Sequence, residues 1–470
     1  MSARSLALPA AAGGTLTVSP RFVLMTVSLG AILAPLNSTM LAVALPVIRK
    51  EFGVSHSATG WLVSSYLIAM AVTQPVGGRL GDRLGRARVF SGGLLAFLMC
   101  SLAAAVAPGF ALLLVFRTLQ AVAGAVLIPN AMGMLRESVP PGELGKFSGW
   151  NSAVIGATAA GGPLLGGALL ALGSWRWLFL ANIPVVVVAL LLARQLPAGA
   201  VSRAGGSVID WAGVVLFATL LALTTVVLNS VRSSDLELTL AFALALAAVA
   251  AVFAWRQVHG AAPTAEWRLF RKRSFAGASS HMLLLNLAMY TTLLATPFFL
   301  TEVQHRSTAM AGVLLGVMAA LQALVAPFAG RASDSMGRRR PTVAGSAIAL
   351  FAALMLAVGI SRDVSVVYLG VALAILGFGV GIGFVAATVA AIESAPKALA
   401  GSAAGTQSMM RYFGSIIGVG VLSGLLTTGS GSTPGVPVFR LLFALVAVML
   451  VVSLGAAALV RPFPEKQRAE

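Results

Sequence analysis

The sequence predicts an all-α membrane protein, and two properties lead to this prediction before any motif is considered. Of its 470 residues 58% are hydrophobic and only 10% are charged, and the mean hydropathy is +0.94. Soluble domains carry roughly 25% charged residues, so a soluble fold is excluded. Disorder needs low hydrophobicity and high charge, so it is excluded too. The apolar residues also fall in runs of the roughly 20 residues that a membrane helix needs.

Fourteen such runs are visible, and the charges between them predict an orientation. Basic residues collect on the cytoplasmic side of membrane proteins. With the N-terminus inside, 23 of the 32 Lys and Arg residues fall on the inner side and seven on the outer, while Arg117 and Arg411 lie within spans. We therefore expect both termini to be cytoplasmic. The predicted spans are 22–48, 57–78, 89–108, 109–134, 147–172, 177–193, 209–229, 236–255, 274–301, 308–330, 342–360, 365–391, 402–427 and 438–460.

An internal repeat divides these spans into two sets. The turn at 78–88 has six Gly, Arg and Asp positions that recur 252 residues later, in the turn at 330–340. Such self-similarity marks duplicated structural units. Eight spans separate the turns, so two six-helix halves leave two helices between them, a six-plus-two-plus-six arrangement. The expected units are a tail at 1–21, a half at 22–193, two inserted helices with their loops at 194–273, a half at 274–460 and a tail at 461–470.

The two turns are candidate functional sites. Glycines permit close backbone turns, and the aspartates can accept hydrogen bonds from a helix N-terminus or pair with nearby arginines. The alternative is that the arginines are topology signals alone; the duplicated spacing favours a function. The residues concerned are Gly78, Asp82, Arg83, Gly85 and Arg86 in the first turn and Gly330, Asp334, Gly337 and Arg338 in the second.

Several function classes are excluded or disfavoured. The net charge of +18 comes from residues between apolar runs and not from a solvated basic patch, so we expect no nucleic-acid partner. The metalloprotease, nucleophile-elbow and P-loop patterns do not occur, so we expect neither an enzyme nor an ATP-driven pump. A membrane-embedded enzyme or receptor is the rival class, and the duplicated turn argues against it.

These motifs resemble the major facilitator superfamily, in particular its fourteen-helix drug–proton antiporter branch. The turn at 78–86 is similar to the family's signature loop, which acts there as a cytoplasmic latch between the halves. Residues 117–120 resemble its Arg-x-x-Gln-Gly motif, with Ala121 in place of the glycine. Residues 36–46 and 175–184 resemble further motifs of the branch and of drug exporters. Span five resembles the antiporter signature, with Gly156, Gly162, Pro163, Gly166 and Gly167 at its positions.

One position departs from that branch. Asn37 stands where the branch usually has an aspartate that is implicated in proton coupling, and an amide does not titrate. Arg117, buried in the membrane, must then pair with carbonyls or with other polar groups of span one. His281 is either a proton carrier or an interhelical hydrogen-bonding group. The substrate-binding or coupling candidates are Asn37, Arg117, Gln120, His281, Gln407 and Arg411.

The resemblance implies a secondary transporter that exports amphipathic or cationic organic molecules, as in drug efflux and antibiotic resistance, in exchange for protons. The alternative is a facilitator, an importer or a flippase for a lipid-linked substrate on the same fold, not coupled to protons by the usual route. We expect a small-molecule substrate, protons and the lipid bilayer as partners, a monomer, and no cofactor or metal. Arginine outnumbers lysine 27 to 5, which favours a bacterial source and an inner-membrane location. Two interpretations are open for Glu302 and Glu393: either one replaces the missing carboxylate, or both are solvated at the interfaces, which is the expected case.

Overall fold

The computed structural model describes residues 19–138, 144–196, 210–230, 236–259, 267–396, 400–426 and 435–462. All regular structure in this part of the chain is helical, as predicted. Several helices begin at a serine that caps the first turn: the hydroxyl of Ser55 accepts from the amide of Ala58 at 3.1 Å, and that of Ser365 from the amide of Tyr368 at 3.1 Å. The predicted tails at 1–21 and 461–470 lie mostly outside the described residues.

The helices are numbered along the chain and grouped by the predicted halves, whose names serve below as labels. The first half contains α1 (Pro20–Ala31), α2 (Leu33–Phe52), α3 (His56–Leu84), α4 (Arg86–Ala105), α5 (Phe110–Ala125), α6 (Leu127–Ser138), α7 (Leu144–Leu170), α8 (Trp177–Leu180) and α9 (Asn182–Ala193). The inserted helices are α10 (Trp211–Ser230) and α11 (Leu236–His259). After a short 3-10 helix (Trp267–Arg271), the second half contains α12 (Arg273–Phe298), α13 (Thr308–Met336), α14 (Arg339–Gly359), α15 (Val366–Ser394), α16 (Ala400–Leu426) and α17 (Val436–Ala458).

Some of these helices continue directly into one another. Ile32 keeps helical dihedrals between α1 and α2, as Val126 does between α5 and α6, and α12 runs on into a π-helical turn at Phe299–Val303. In the described part of the chain, eleven helices are long and apolar enough to cross a membrane. The protein is therefore a multi-pass membrane protein. The count of fourteen spans in a six-plus-two-plus-six order stays a prediction.

The two halves meet mainly along three pairs of helices. α7 packs against α13, α3 against α16, and α2 against α12, so each pair takes one helix from each half. Small residues at these crossings let the helix backbones come close, which is how membrane helices associate where lipid offers no hydrophobic driving force. The interface between the halves is therefore the place where a substrate site would be enclosed.

The inserted helices lie beside this interface. α10 packs on α11 and also on α3 and α16, one helix from each half, whereas α11 is exposed along most of its length. Arg256 of α11 pairs with Asp210, just before α10, at 2.6 Å. The hydrogen bond from Arg256 holds the pKa of the Asp210 carboxyl below its usual value. The pair fixes α11 to the start of α10.

The repeat seen in the sequence is reproduced in the backbone. α3 and α13, which precede the two turns, are each 29 residues long. They end at Gly85 and Gly337, whose φ angles are +94° and +80°, a region that residues with a side chain rarely adopt. The same glycine is thus required at the same place in both halves. We call the membrane side that carries these turns the latch side.

Candidate functional site

The centre of the first half holds a buried arginine with neutral partners. Arg117 of α5 is 1% exposed. Its Nη1 donates to Asn37 Oδ1 of α2 at 2.5 Å and to Gln120 Oε1 at 2.7 Å, and its Nη2 donates to the backbone oxygen of Asn37 at 3.0 Å. Arg117 is thus paired with a carbonyl and with polar groups of span one, as expected from the cost of an unpaired charge in a membrane.

Two more helices complete this central network. The Arg117 guanidinium carbon lies 3.8 Å from the ring centroid of Tyr66 in α3, and the Tyr66 hydroxyl donates to the backbone oxygen of Ala34 at 2.9 Å. Gln120 Nε2 donates to Ser101 of α4 at 2.7 Å. Arg117 and Gln120 of α5 together therefore join α5 to α2, α3 and α4. Arg117 Nε and Asn37 Nδ2 are buried without a hydrogen-bond partner.

Tyrosines from the second half reach the first half beside this network. The hydroxyls of Ser38 and Tyr290 lie 3.2 Å apart, and Gln74 Nε2 donates to the Tyr412 hydroxyl at 2.8 Å. Ser38 and Tyr290 are 252 residues apart, which is the spacing of the repeat. Equivalent positions of the two halves therefore touch on the axis that relates them.

Arg411 and Gln407 of α16 share one helical face in the sequence, but their surroundings differ. Arg411 is exposed, and its guanidinium carbon lies 5.2 Å from the Tyr412 ring centroid. Because the Tyr412 hydroxyl accepts from Gln74 of the first half, Arg411 lies beside the interface between the halves. Gln407 is 4% exposed, and both of its amide atoms are buried without a partner. The structure brings Arg411 close to the central network and leaves Gln407 packed one turn away.

His281 lies elsewhere. It is fully buried in α12, and its Nδ1 lies 3.0 Å from the hydroxyls of both Ser346 in α14 and Ser453 in α17. All three helices belong to the second half. The sequence left two interpretations of His281 open, a proton carrier and an interhelical hydrogen-bonding group. Its contacts are those of the second. Tyr290 points to the other half from the opposite side of α12, as nine residues of helix predict.

The side opposite the latch carries ionic contacts between the halves. Glu302, in the π-helical turn, accepts from Arg49 of α2 at 2.7 Å and lies 3.1 Å from His56 Nε2 of α3. Its side chain is only 8% exposed. We call these three residues the Glu302 cluster. The expectation that Glu302 is solvated was wrong, because Arg49 and His56 replace water around it. Sequence reasoning missed the cluster because Glu302 is about 250 positions from Arg49 and His56 in the chain.

The antiporter-like glycines of α7 lie on the same side of the membrane. A Cβ atom at Gly166 would be 2.7 Å from the Met40 carbonyl oxygen, and one at Gly162 would be 2.0 Å from Thr39 Oγ1. Gly167 faces Gly312 of α13 at a helix crossing between the halves. Pro163 lies in α7 beside this crossing, and Gly156 lies further toward the latch side. Gly162, Gly166 and Gly167 thus let α7 pack closely on α2 and α13 on the side opposite the latch.

Gly312→Ala tests this crossing. A Cβ atom there would lie 2.6 Å from the Pro163 carbonyl oxygen and 2.9 Å from Gly167 Cα, both backbone atoms that cannot move aside alone. We expect the variant to favour conformations open opposite the latch, measured as a longer distance between spin labels on α7 and α13. The control is Gly161→Ala, because a Cβ at Gly161 meets nothing within 4 Å. Unchanged distances in Gly312→Ala would contradict this prediction.

The two latch turns form matching ion-pair groups within each half. Arg86 pairs with Asp82 at 2.6 Å and with Glu137 at 2.9 Å. Arg338 pairs with Asp334 at 2.6 Å and with Glu393 at 2.7 Å. Glu393 is thus paired and not simply solvated, and its hydrogen bond raises the pKa of Arg338. The resemblance implied a latch between the halves. The ion pairs of Arg86 lie within the first half, and those of Arg338 lie within the second. Gly78, Arg83 and Gly330 lie near them in the same helix ends.

The comparison with known families decides the identity of this arrangement. The sequence profile of the Major Facilitator Superfamily matches residues 27–419. The chain belongs to this superfamily. Members of the superfamily are membrane transporters that bind small-molecule substrates, and no catalytic family is indicated.

Relatives and a solved structure support this membership. The chain is 32% identical over 435 residues to the uncharacterized MFS-type transporter YvkA of Bacillus subtilis, covering 92% of this chain and 95% of that protein. It is 29% identical to the tetracenomycin C resistance and export protein of Streptomyces glaucescens, covering 87% and 76%. A bacterial homolog of the human lysosomal transporter Spinster, solved in an inward-facing and unoccupied conformation, matches with a TM-score of 0.66 at 16% identity, covering 94% and 96%. This last likeness concerns the fold.

Proposed function

We propose that this chain is a secondary active transporter that exports amphipathic organic molecules across a bacterial inner membrane in exchange for protons. The observation that carries the proposal is the polar network around Arg117, beside which Tyr290 and Tyr412 of the second half contact the first half. Binding sites of repeat transporters lie near the bilayer midplane at this place, and the halves rock around them. The similarity to an antibiotic export protein supports outward transport and a role in drug resistance.

The proposal includes an orientation with both termini in the cytoplasm. The latch side then faces the cytoplasm, which agrees with the excess of basic residues that the sequence assigns to it. The Glu302 cluster and the Gly167–Gly312 crossing would close the periplasmic side, while Arg411 is exposed. In this state the site is accessible from the cytoplasm, which is where an exporter collects its substrate.

In this proposal each group of candidate residues has a role in transport. Arg117, Asn37 and Gln120 hold the polar centre in place, and Arg411 contacts the substrate. The glycines and Pro163 of α7 form the surface on which the halves pivot. Six helices in each half and two inserted helices beside α3 and α16 make up the proposed architecture, with the chain acting as a monomer.

One observation favours a second function. Asn37 occupies the position of the usual carboxylate, and its Oδ1 accepts a hydrogen bond from Arg117. No proton is bound or released there. The second candidate is therefore a facilitator, importer or lipid-linked substrate flippase that does not couple to protons at this position.

A proton-gradient assay separates the two. Purified protein in proteoliposomes should accumulate an amphipathic fluorescent dye when a pH gradient is imposed, and an uncoupler should abolish the accumulation. Asn37→Asp should change the pH dependence of transport, because a titratable group then faces Arg117. Empty liposomes and Gln304→Ala, remote from the centre, are the controls. Equal rates with and without the gradient would rule out proton antiport and favour the second candidate.

A further inference from the structure

The middle of the membrane domain contains positive charge and no carboxylate. None of the fourteen acidic residues lies in the middle of a predicted span. Those in the described residues stand at helix ends or in connections: Glu51, Asp82, Glu137, Asp210, Glu237, Glu302, Asp334, Asp363 and Glu393. Arg117 and Arg411, by contrast, lie deep within α5 and α16. The central region of these helices therefore has a net positive charge.

The charge of Arg117 is not neutralised by its partners. Asn37, Gln120 and the Tyr66 ring are all neutral, and Arg117 Nε has no hydrogen-bond partner. Water is excluded, since Arg117 is 1% exposed. A charge in such surroundings acts over a longer range than one in water, because the local dielectric constant is low. Arg117 thus adds a positive potential to the site without presenting its own atoms.

Arg411, unlike Arg117, can contact a ligand directly. It is exposed, it lies near Tyr412, and it shares with Arg117 an electrostatic influence on Tyr290. The two cations therefore act on the same space between the halves. Tyr290, which is half-buried, offers an aromatic surface in the same space for a flat apolar body. A ligand that combines an aromatic body with one negative group matches both features.

We propose that the transported substrate is an amphipathic organic anion, an aromatic body that carries a carboxylate or phenolate group, and that Arg411 binds this group. This inference rests on the proposed function and replaces the cationic class that the sequence resemblance implied. A like charge is repelled by an unneutralised cation. The charges that attract an anion therefore weaken the binding of a cationic ligand.

Two dyes with one ring system test the charge preference. Carboxyfluorescein and a rhodamine ester share a xanthene body, and the first is an anion whereas the second is a cation. Fluorescence anisotropy with the purified full-length protein in detergent should show carboxyfluorescein binding at least about tenfold more tightly. Equal affinities, tighter binding of the rhodamine ester, or binding of neither dye would overturn the inference.

Arg411→Glu should reverse the order of the two affinities, and Arg411→Gln should weaken the preference, because the potential of Arg117 remains. Arg362→Glu makes the same charge change on an exposed connection away from the centre and should leave the order as in the wild type. A preference that survives both Arg411 variants would overturn the role of Arg411. Transport in proteoliposomes distinguishes the proposal of export from the proposal of an anionic substrate. If a pH gradient drives rhodamine transport and carboxyfluorescein does not bind, the anionic substrate class is refuted and the proposal of export stands.

Discussion

Arg117→Leu should reduce transport at least about thirtyfold while the protein still folds. The substitution leaves Asn37 Oδ1, the Asn37 carbonyl and Gln120 Oε1 without their donor. Losing one partner of a buried charged interaction costs about 2 kcal/mol or more, which corresponds to this factor. The loss of a buried cation also removes a desolvation cost, so stability should fall less than transport. Dye transport in proteoliposomes and the melting temperature in detergent measure the two effects.

Two further variants show what Arg117 contributes. Arg117→Lys keeps the charge, but a compact ammonium neither reaches the three oxygens in the same geometry nor stacks on Tyr66 as a guanidinium does, so transport should remain low. Leu119→Ala, on an exposed part of the same helix, should transport normally. Transport by Arg117→Leu at the wild-type rate would show that the network is a structural tie alone.

Glu302→Gln should shift the protein toward conformations that are open opposite the latch. It removes the charge that joins Arg49 and His56 to the second half. Breaking a buried ion pair by removing one partner costs about 3 kcal/mol, which shifts a two-state equilibrium about a hundredfold. A cysteine at Ser423, which contacts Gly60 across the halves, should then react faster with a membrane-impermeant maleimide. The background is Cys100→Ser, since Cys100 is the one cysteine of the chain.

The matched control is Asp363→Asn, which removes an acidic group from an exposed connection. Its labelling rate at position 423 should equal that of the parent. Arg49→Gln should reproduce the effect of Glu302→Gln, because it breaks the same pair. Slow labelling in both variants would mean that helix packing at the Gly167–Gly312 crossing holds this side closed without the ion pair.

The sequence predicted much of this arrangement because the relevant signals are local or periodic. Long apolar runs predict helices, and the repeated turn predicts a glycine with a positive φ angle in each half, as found at Gly85 and Gly337. The partner of Arg117 followed from the cost of burying a charge. These inferences need no knowledge of how distant helices pack.

Other features depend on how helices that are distant in sequence pack together, and the sequence does not predict them. Glu302 and Arg49 are each ordinary residues at the end of a helix, and nothing near them in the sequence indicates that they meet. Gln407 and Arg411 share a helical face, yet neighbouring helices bury one and leave the other exposed. His281 has the chemistry of a proton carrier, and only the positions of Ser346 and Ser453 show that it points into the second half.

The spacing of the contacts on the repeat axis also bears on how the closed side could arise. In a dimer of identical subunits related by a two-fold axis, every contact between two different positions occurs twice. The positions 252 residues from Arg49 and Glu302 are Thr301 and Lys50, which cannot form an ion pair with each other. The pair between Arg49 and Glu302 is therefore not repeated by the internal symmetry. Two halves in one chain are free to diverge, so they can carry a lock that identical subunits would have to form twice.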